Sequence, residues 1–381
     1  MGYLLSIVVP TKDRYPYLKK LIELIKSFNS NEIELVIQDN TDDNREILEF
    51  INAINFHNLN YNYTQGQIPI SQNADNAILN SCGEYVCFIG DDDGVTRHIV
   101  DCVKWMKSND IAILRSQYSL YKWPSYINGR VMKLASTISY TQCSGEWHKI
   151  DTKEALKNTL NDGARTLKNM PKVYNGIVSR KALDRIYEKT GSFFPGPSPD
   201  MANAVALCLV ESSYVYLDFP IIIGGQCASV GGGSRQVKGG FKKLSDVPFL
   251  PSNIEEIWNP KLPKIWSAET IWPESAIEAL DKMGRADLIS EVKIDIIHAF
   301  FSINRPDLSY MAFELTDNAP RLKALIRKMK RSTYFQAIKD SLNYVINNKT
   351  AEGLTIHRGV NNIIEAENVI CKSYPTFDLK S

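Results

Sequence analysis

The apolar run Glu84-Tyr85-Val86-Cys87-Phe88-Ile89 ends, one glycine later, in Asp91-Asp92-Asp93. Such a strand is built for burial, yet three adjacent carboxylates are costly to bury without a partner. A hard divalent cation would reconcile the two, because oxygen ligands suit Mg²⁺ or Mn²⁺. Two earlier runs end in the same style. Leu4 to Val9 leads into Pro10-Thr11, and Ile33 to Ile37 leads into Gln38-Asp39-Asn40. Three strands carrying polar ends, separated by helix-like segments, define an open α/β sheet. In such sheets ligands bind beyond the C-terminal strand ends.

The intervening segments have helical spacing. Leu18, Leu21, Ile22 and Ile25 share one face of a helix over 15–28. Asp42 and Asp43 are placed to cap a helix running to about Ile54, and Ser71 to cap one running to about Asn80. A strand over 59–64, a helix over 97–107 and a strand over 111–115 complete the first part. Residues 116–140 read as added β-structure. Helices follow over 152–160, 181–189 and 201–210, with strands over 173–178 and 214–223. Beyond Leu250 the signals are helical. Trp258, Trp266 and Trp272 fall in that stretch; such indoles can stack on sugar rings or fill a core, and the core is the expectation here. The expected organisation is 1–240 as one α/β domain, in two halves that divide at about 115/116. A mainly helical region over 241–381 completes it.

Composition excludes several classes. A net charge of +1 over 381 residues gives no electrostatic case for nucleic acid. The seven cysteines form no CxxC pair and the five histidines no HExxH. They read as the thiols of a cytoplasmic protein without a signal peptide. The glycine-rich 224–240 lacks the Gly-Lys-Ser/Thr of a phosphate-binding P-loop. It reads as a linker or as a mobile loop offering Ser234 and Arg235 to a diphosphate. Over 321–331, Leu322, Leu325, Ile326 and Met329 make one helical stripe among six basic residues. This suits a solvated helix or peripheral contact with an anionic membrane.

Four segments together resemble the family 2 glycosyltransferases of the GT-A fold. They are Ser6 to Thr11 with Asp13-Arg14, Leu35 to Asn40, Ser71 to Ala77, and Gly83 to Asp93. The Gly90-Asp91-Asp92-Asp93 form looks like the abequosyltransferase-like branch of surface-polysaccharide enzymes. The resemblance implies a Rossmann-like, mostly parallel sheet flanked by helices. It also implies an inverting, metal-dependent transfer from a nucleotide-sugar, in particular a UDP-sugar, to a hydroxyl of a glycan or lipid-linked saccharide. Under it, Pro10, Thr11, Asp13 and Arg14 line the nucleotide pocket, Asp39 accepts from the base, and Asn76 borders the donor. Asp91, Asp92 and Asp93 supply the metal ligands, with Asp91 and Asp92 also facing the donor. Asp200, after Phe194-Pro195-Gly196-Pro197-Ser198-Pro199, is the expected base; the same position suits a helix cap. Asp75 stands where many members carry arginine, which questions the phosphate contacts. Two rivals remain: an inactive GT-A scaffold, and a nucleotidyltransferase, disfavoured because 10–14 contains no glycine.

Overall fold

The computed structural model describes residues 2–126, 134–228, 243–332 and 354–379. Four strands form a parallel core: β1 (Leu5–Thr11), β2 (Ile33–Asp39), β3 (Leu59–Tyr63) and β4 (Tyr85–Phe88), in the order β4-β1-β2-β3. Alternate side chains of these strands enter two separate cores. Ile7, Val9, Leu35 and Ile37 meet Leu18, Leu21, Ile22 and Ile25 of α1 (Tyr15–Ser27). Val8, Val36, Val86 and Phe88 meet Ala74, Ala77 and Ile78 of α3 (Ile70–Leu79). Both faces are covered, so the strands read as continuous apolar runs rather than alternating ones. Between β2 and β3 runs α2 (Arg45–Ile54).

The register decides where chemistry can occur. Leu5 pairs with Ile33 and Thr11 with Asp39, while Val8 pairs with Phe88. Thr11, Asp39 and the loop after Phe88 therefore emerge along one edge. Beyond β4 the sheet turns mainly antiparallel through β9 (Ile177–Ser179), β6 (Ile113–Lys122) and β7 (Thr137–Thr141). β5 (Gly94–Val95) and β8 (Trp147–Asp151) pair antiparallel with β10 (Ser213–Gln226), which itself runs parallel to β6. The strictly parallel part is thus the N-terminal half. Pro220 lies at register shifts of β10, where a missing N–H is tolerated.

Helices α4 (Ile99–Ser108), α5 (Thr152–Asn161), α6 (Arg180–Thr190) and α7 (Pro199–Val210) complete the α/β part. A helical layer follows: α8 (Ile254–Ile257), α9 (Ala268–Lys282), α10 (Ile294–Asn304), α11 (Ser309–Glu314) and helical backbone over 319–332, here α12. The layer shares a core with α5 and α7 through Leu156, Val205, Ile271, Ala276 and Leu280. The chain then returns to the sheet. β11 (Leu354–Arg358) pairs with β7, and α13 (Ile363–Ser373) packs on the α1 face. Arg97 of the β5–α4 connection clamps Glu367 of α13 with bonds of 2.8 and 2.7 Å. The helical reading of 241–381 thus departs at β11, a strand of the main sheet.

Two caps differ from expectation. Asn44, not Asp42 or Asp43, holds the N-cap position of α2, although Asp43 Oδ1 accepts from the Arg45 N–H at 3.1 Å. Helix α3 starts at Ile70 with Pro69 in the N-cap position, and Ser71 caps nothing. The N–H of Ile70 instead donates to the Phe249 carbonyl at 3.0 Å, tying α3 to the segment before the helical layer.

Candidate active site

The turn after β1 holds Asp13 at a φ of +58° and sends Arg14 back across the strand ends. Arg14 then lies between two of the three aspartates. Its Nη2 is 2.9 Å from Asp91 Oδ1 and 2.5 Å from Asp92 Oδ1. The guanidinium also rests over the Tyr17 ring at 5.8 Å. Asp91 Oδ2 accepts from Thr11 Oγ1 at 2.6 Å, joining the ends of β1 and β4. Asp91 Oδ1 is buried and has no aligned hydrogen bond beyond that ion pair.

Asp93 points elsewhere. Its Oδ2 accepts from the Gly90 N–H at 2.8 Å and Tyr174 Oη at 3.2 Å, and its Oδ1 from the Gly225 N–H at 2.7 Å. The end of β10 is thereby pinned onto the acidic loop, and the Asp92 carbonyl accepts from Trp123 Nε1 at 2.8 Å. Burial raises the carboxyls of both Asp91 and Asp93 above the usual range. Arg14 therefore only partly neutralises the loop.

The acidic loop suits the expected cation only in part. Asp91 Oδ1 and Asp92 Oδ1 are hard oxygen donors in one place, and the first is buried without a hydrogen bond. With Arg14 turned away from them they would fit Mg²⁺ or Mn²⁺ as a pair whose remaining ligands come from a bound molecule, Asp91 alone of the two lining the cavity. Asp93 does not join them, because both its oxygens are engaged. Among the described residues, no group of three or more His, Cys, Asp or Glu could hold a metal.

A cavity of about 470 Å³ opens at this edge. One wall belongs to the sheet: Pro10, Thr11, Arg14, Asn40, Gly90 and Asp91. Asn73 and Ala74 of α3 flank it, with Tyr174 beside Asp93. The opposite wall comes from Pro197 to Asp200 and from Phe249, Trp266, Ile271 and Trp272. Asp200 stands in the first turn of α7, two residues past the N-cap Ser198, so it is not the cap. Its carboxylate makes no hydrogen bond among the described residues, and burial raises its pKa, partly offset by Lys172. A buried carboxylate with a raised pKa on a cavity wall has the chemistry to accept a proton from a bound group.

Other expected residues take structural roles. Asp39 is fully buried. Its Oδ2 accepts from Tyr15 Oη at 2.7 Å and Tyr61 Oη at 2.8 Å, and its Oδ1 from the Thr41 N–H at 2.8 Å. It is absent from the cavity wall; its neighbour Asn40 is present. Asp13 is exposed and meets Thr41 through its backbone N–H. Asn76 also lies off the cavity, and Asn73, one turn earlier, lines it with its Oδ1 buried and unpartnered. Asp75 faces away from the cavity and accepts from Ser192 Oγ and the Phe193 N–H, both at 2.7 Å. It binds α3 to the loop before α7 and leaves the phosphate question untouched. Ser234 and Arg235 lie outside the described residues.

The aromatic wall corrects the reading of the tryptophans. Trp258 is core, 3% exposed, but Trp266 and Trp272 are half-buried on the cavity. A sequence signal existed. Ser267 and Thr270 form a capping box at the start of α9, and Trp266 holds the N′ position that packs on the first turn.

Comparison with known proteins adds the following. Residues 6–173 match the profile of Glycosyl transferase family 2. A Campylobacter jejuni protein named GalNAc(5)-diNAcBac-PP-undecaprenol beta-1,3-glucosyltransferase is 32% identical over 95 residues, 23% of this chain and 29% of that protein. The match thus spans under a third of that relative. Among solved structures, S. aureus TarS 1–349 in complex with UDP-GlcNAc is similar at 16% identity and a TM-score of 0.47. The match covers 87% of this chain and 92% of TarS 1–349. Mannosyltransferase PcManGT from Pyrobaculum calidifontis, with GDP-Man and Mn²⁺, has a TM-score of 0.36 at 14% identity, covering 83% and 85%.

Proposed function

From a chain whose residues 6–173 belong to glycosyl transferase family 2, we propose an inverting glycosyltransferase that moves a sugar from a UDP-sugar to a hydroxyl of a lipid-linked saccharide or glycan. One observation carries this: Asp91 with Arg14, and Asp200, line a single cavity from different walls.

The donor diphosphate would lie against the strand ends. Thr11 orients Asp91, and Arg14 turns its guanidinium from the aspartates toward the phosphates as negative charge grows on the leaving group. A divalent cation held by Asp91 and Asp92 would supply Lewis-acid neutralisation of that charge. Asp93, tied to Gly90 and Gly225, keeps the loop folded while this happens. The base would sit toward Asn40 and Asn73. Asp39 acts behind them by fixing the end of β2 through Tyr15 and Tyr61. On the opposite wall, Asp200 takes the acceptor proton. The acceptor oxygen bonds to the anomeric carbon as the carbon–oxygen bond to the diphosphate breaks, so one displacement inverts the centre.

A lipid-linked acceptor is supported by the name of the Campylobacter relative and by α12. Leu322 is buried there, and Leu325, Ile326 and Met329 pack beside it. Arg327, Lys328, Lys330 and Arg331 face solvent. That side would rest on the anionic inner face of a membrane, placing the enzyme in the cytoplasm at its periphery. No helix among the described residues is long and apolar enough to cross one.

The test is nucleotide release from a panel of UDP-, GDP- and CDP-sugars in the presence of a lipid-linked saccharide acceptor, with UDP-sugars expected to react. Release by the wild type and its loss in Asp91→Asn, with circular dichroism showing the variant folded, is the expected result. No release from any UDP-, GDP- or CDP-sugar rejects the function.

A further inference from the structure

The layer carrying α9 lies outside the residues that match the family, yet it supplies one wall of the cavity. We propose that Trp266 and Trp272, braced by Phe249, are the platform on which the acceptor sugar ring lies, so that this layer selects the acceptor. The inference rests on the placement of donor and base given above.

Exposure separates these indoles from core tryptophan. Trp258, in the same layer, is buried, whereas Trp266 and Trp272 keep part of their surface on the cavity. Part of each indole is already packed on the core, and the rest, left on the cavity, offers apolar surface whose burial by an occupant is favourable. The wall is also rigid. The Trp266 ring meets Phe249 edge-on at 5.0 Å, and the Ser267–Thr270 capping box fixes the backbone between the two tryptophans. Phe249 is held in turn, because its carbonyl accepts from the Ile70 N–H.

The platform is registered to the base. One turn after Trp272, Ser275 Oγ accepts from the Ser198 N–H at 2.8 Å, and Ser198 is the N-cap of the helix bearing Asp200. Gly196 makes the same joint close, because a Cβ there would lie 3.1 Å from the Ser275 carbonyl oxygen. Indole wall and proton acceptor are thus fixed to each other through two short contacts. The chemistry of a pyranose matches this pair. One ring face presents C–H groups to an aromatic surface, while the hydroxyl rim points toward a carboxylate. A nucleobase would match the indoles but would leave Asp200 without a hydroxyl.

The experiment is saturation-transfer NMR with the full chain, UDP, and three probes: the methyl β-glycosides of glucose, galactose and N-acetylglucosamine. UDP affinity is measured separately by calorimetry. In the wild type, ring C–H protons of at least one probe should saturate most strongly. Trp266→Ala and Trp272→Ala should cut that signal at least five-fold, Trp272→Phe should keep more than half of it, and UDP affinity should stay within two-fold. Unchanged saturation in both alanine variants overturns the inference. So does the absence of saturation for every probe, or loss of UDP affinity with the glycoside signal intact. A wild type that binds glycosides through these indoles but ignores UDP removes the donor assignment and leaves the platform standing. Circular dichroism checks that each variant is folded.

Discussion

Gly225→Ala tests the account where backbone meets acidic loop. A Cβ on Gly225 would lie 1.7 Å from the Asp92 carbonyl oxygen and 2.4 Å from its carbon. Both are backbone atoms, so no side chain can swing aside. Restoring ordinary contact requires the two segments to part by about 1.7 Å. That separation stretches the 2.7 Å bond from the Gly225 N–H to Asp93 Oδ1 beyond hydrogen-bonding range. Overpacking costs about 1–3 kcal/mol and a bond to a charged acceptor about 1.5–3 kcal/mol. The two losses share one cause and do not add, so about 2–4 kcal/mol is expected in urea unfolding. UDP affinity should fall at least ten-fold, because Asp91 and Asp92 shift with the loop. Gly224→Ala is the control. Its Cβ would strike Tyr118 Oη at 1.5 Å, but that ring is 44% exposed and can rotate outward. Its cost should stay below about 1 kcal/mol, and its loss of UDP affinity should be smaller than that of Gly225→Ala. A Gly225→Ala protein within 0.5 kcal/mol of wild type and binding UDP normally would refute the reasoning, as would equal effects at both glycines.

Other consequences are as specific. Asp200→Asn should lower transfer by about 10²–10⁴-fold with UDP affinity intact, and a loss under ten-fold would remove it as base. Burial pushes the Glu274 carboxyl up to about 7, although both its oxygens accept from the Asn259 N–H at 3.1 Å. The folded state therefore holds this proton where the unfolded state has lost it. Stability is fullest below about pH 4.5 and falls as pH rises through 7. Glu274→Gln should then be more stable than wild type by about 3 kcal/mol at pH 8 and nearly equal to it near pH 4.5. A pH-independent difference in denaturation curves would count against the assignment. Reversing Arg327, Lys328, Lys330 and Arg331 to Glu should abolish flotation with vesicles containing 30% phosphatidylglycerol. Each basic residue contributes about 1 kcal/mol near such a surface, so 0.5 M salt should do the same to wild type. Wild type that floats equally with neutral vesicles would contradict the electrostatic account.

The parallel core was legible because two covered faces force continuous apolar runs, and those runs deliver their ends to one edge. Thr11 and Asp91 stand at strand ends and follow from that geometry, whereas Asp200, in the first turn of a helix, came only from the family resemblance. What stayed hidden depends on partners distant in sequence. Asp39 sits at a strand end as expected, but Tyr15 from α1 and Tyr61 from β3 engage it, and neither shows in the local pattern. Asp75 looked like a lost phosphate contact, yet its partners come from a loop more than a hundred residues on. β5 is too short to show a period, and β8 and β11 have mostly exposed or half-exposed side chains. Gly224 and Gly225 suggested a loop. The second is glycine because β10 crosses directly against Asp92.

The most direct test is thermal unfolding of the wild type with UDP, GDP, CDP, CMP and dTDP, each with and without Mn²⁺, beside Asp91→Asn. A ligand that binds the folded state alone raises its midpoint. The account predicts an upward shift with UDP, enlarged by Mn²⁺ and lost in Asp91→Asn. No shift with any nucleotide, or a UDP shift undiminished in Asp91→Asn, would contradict a donor site built on the end of β4.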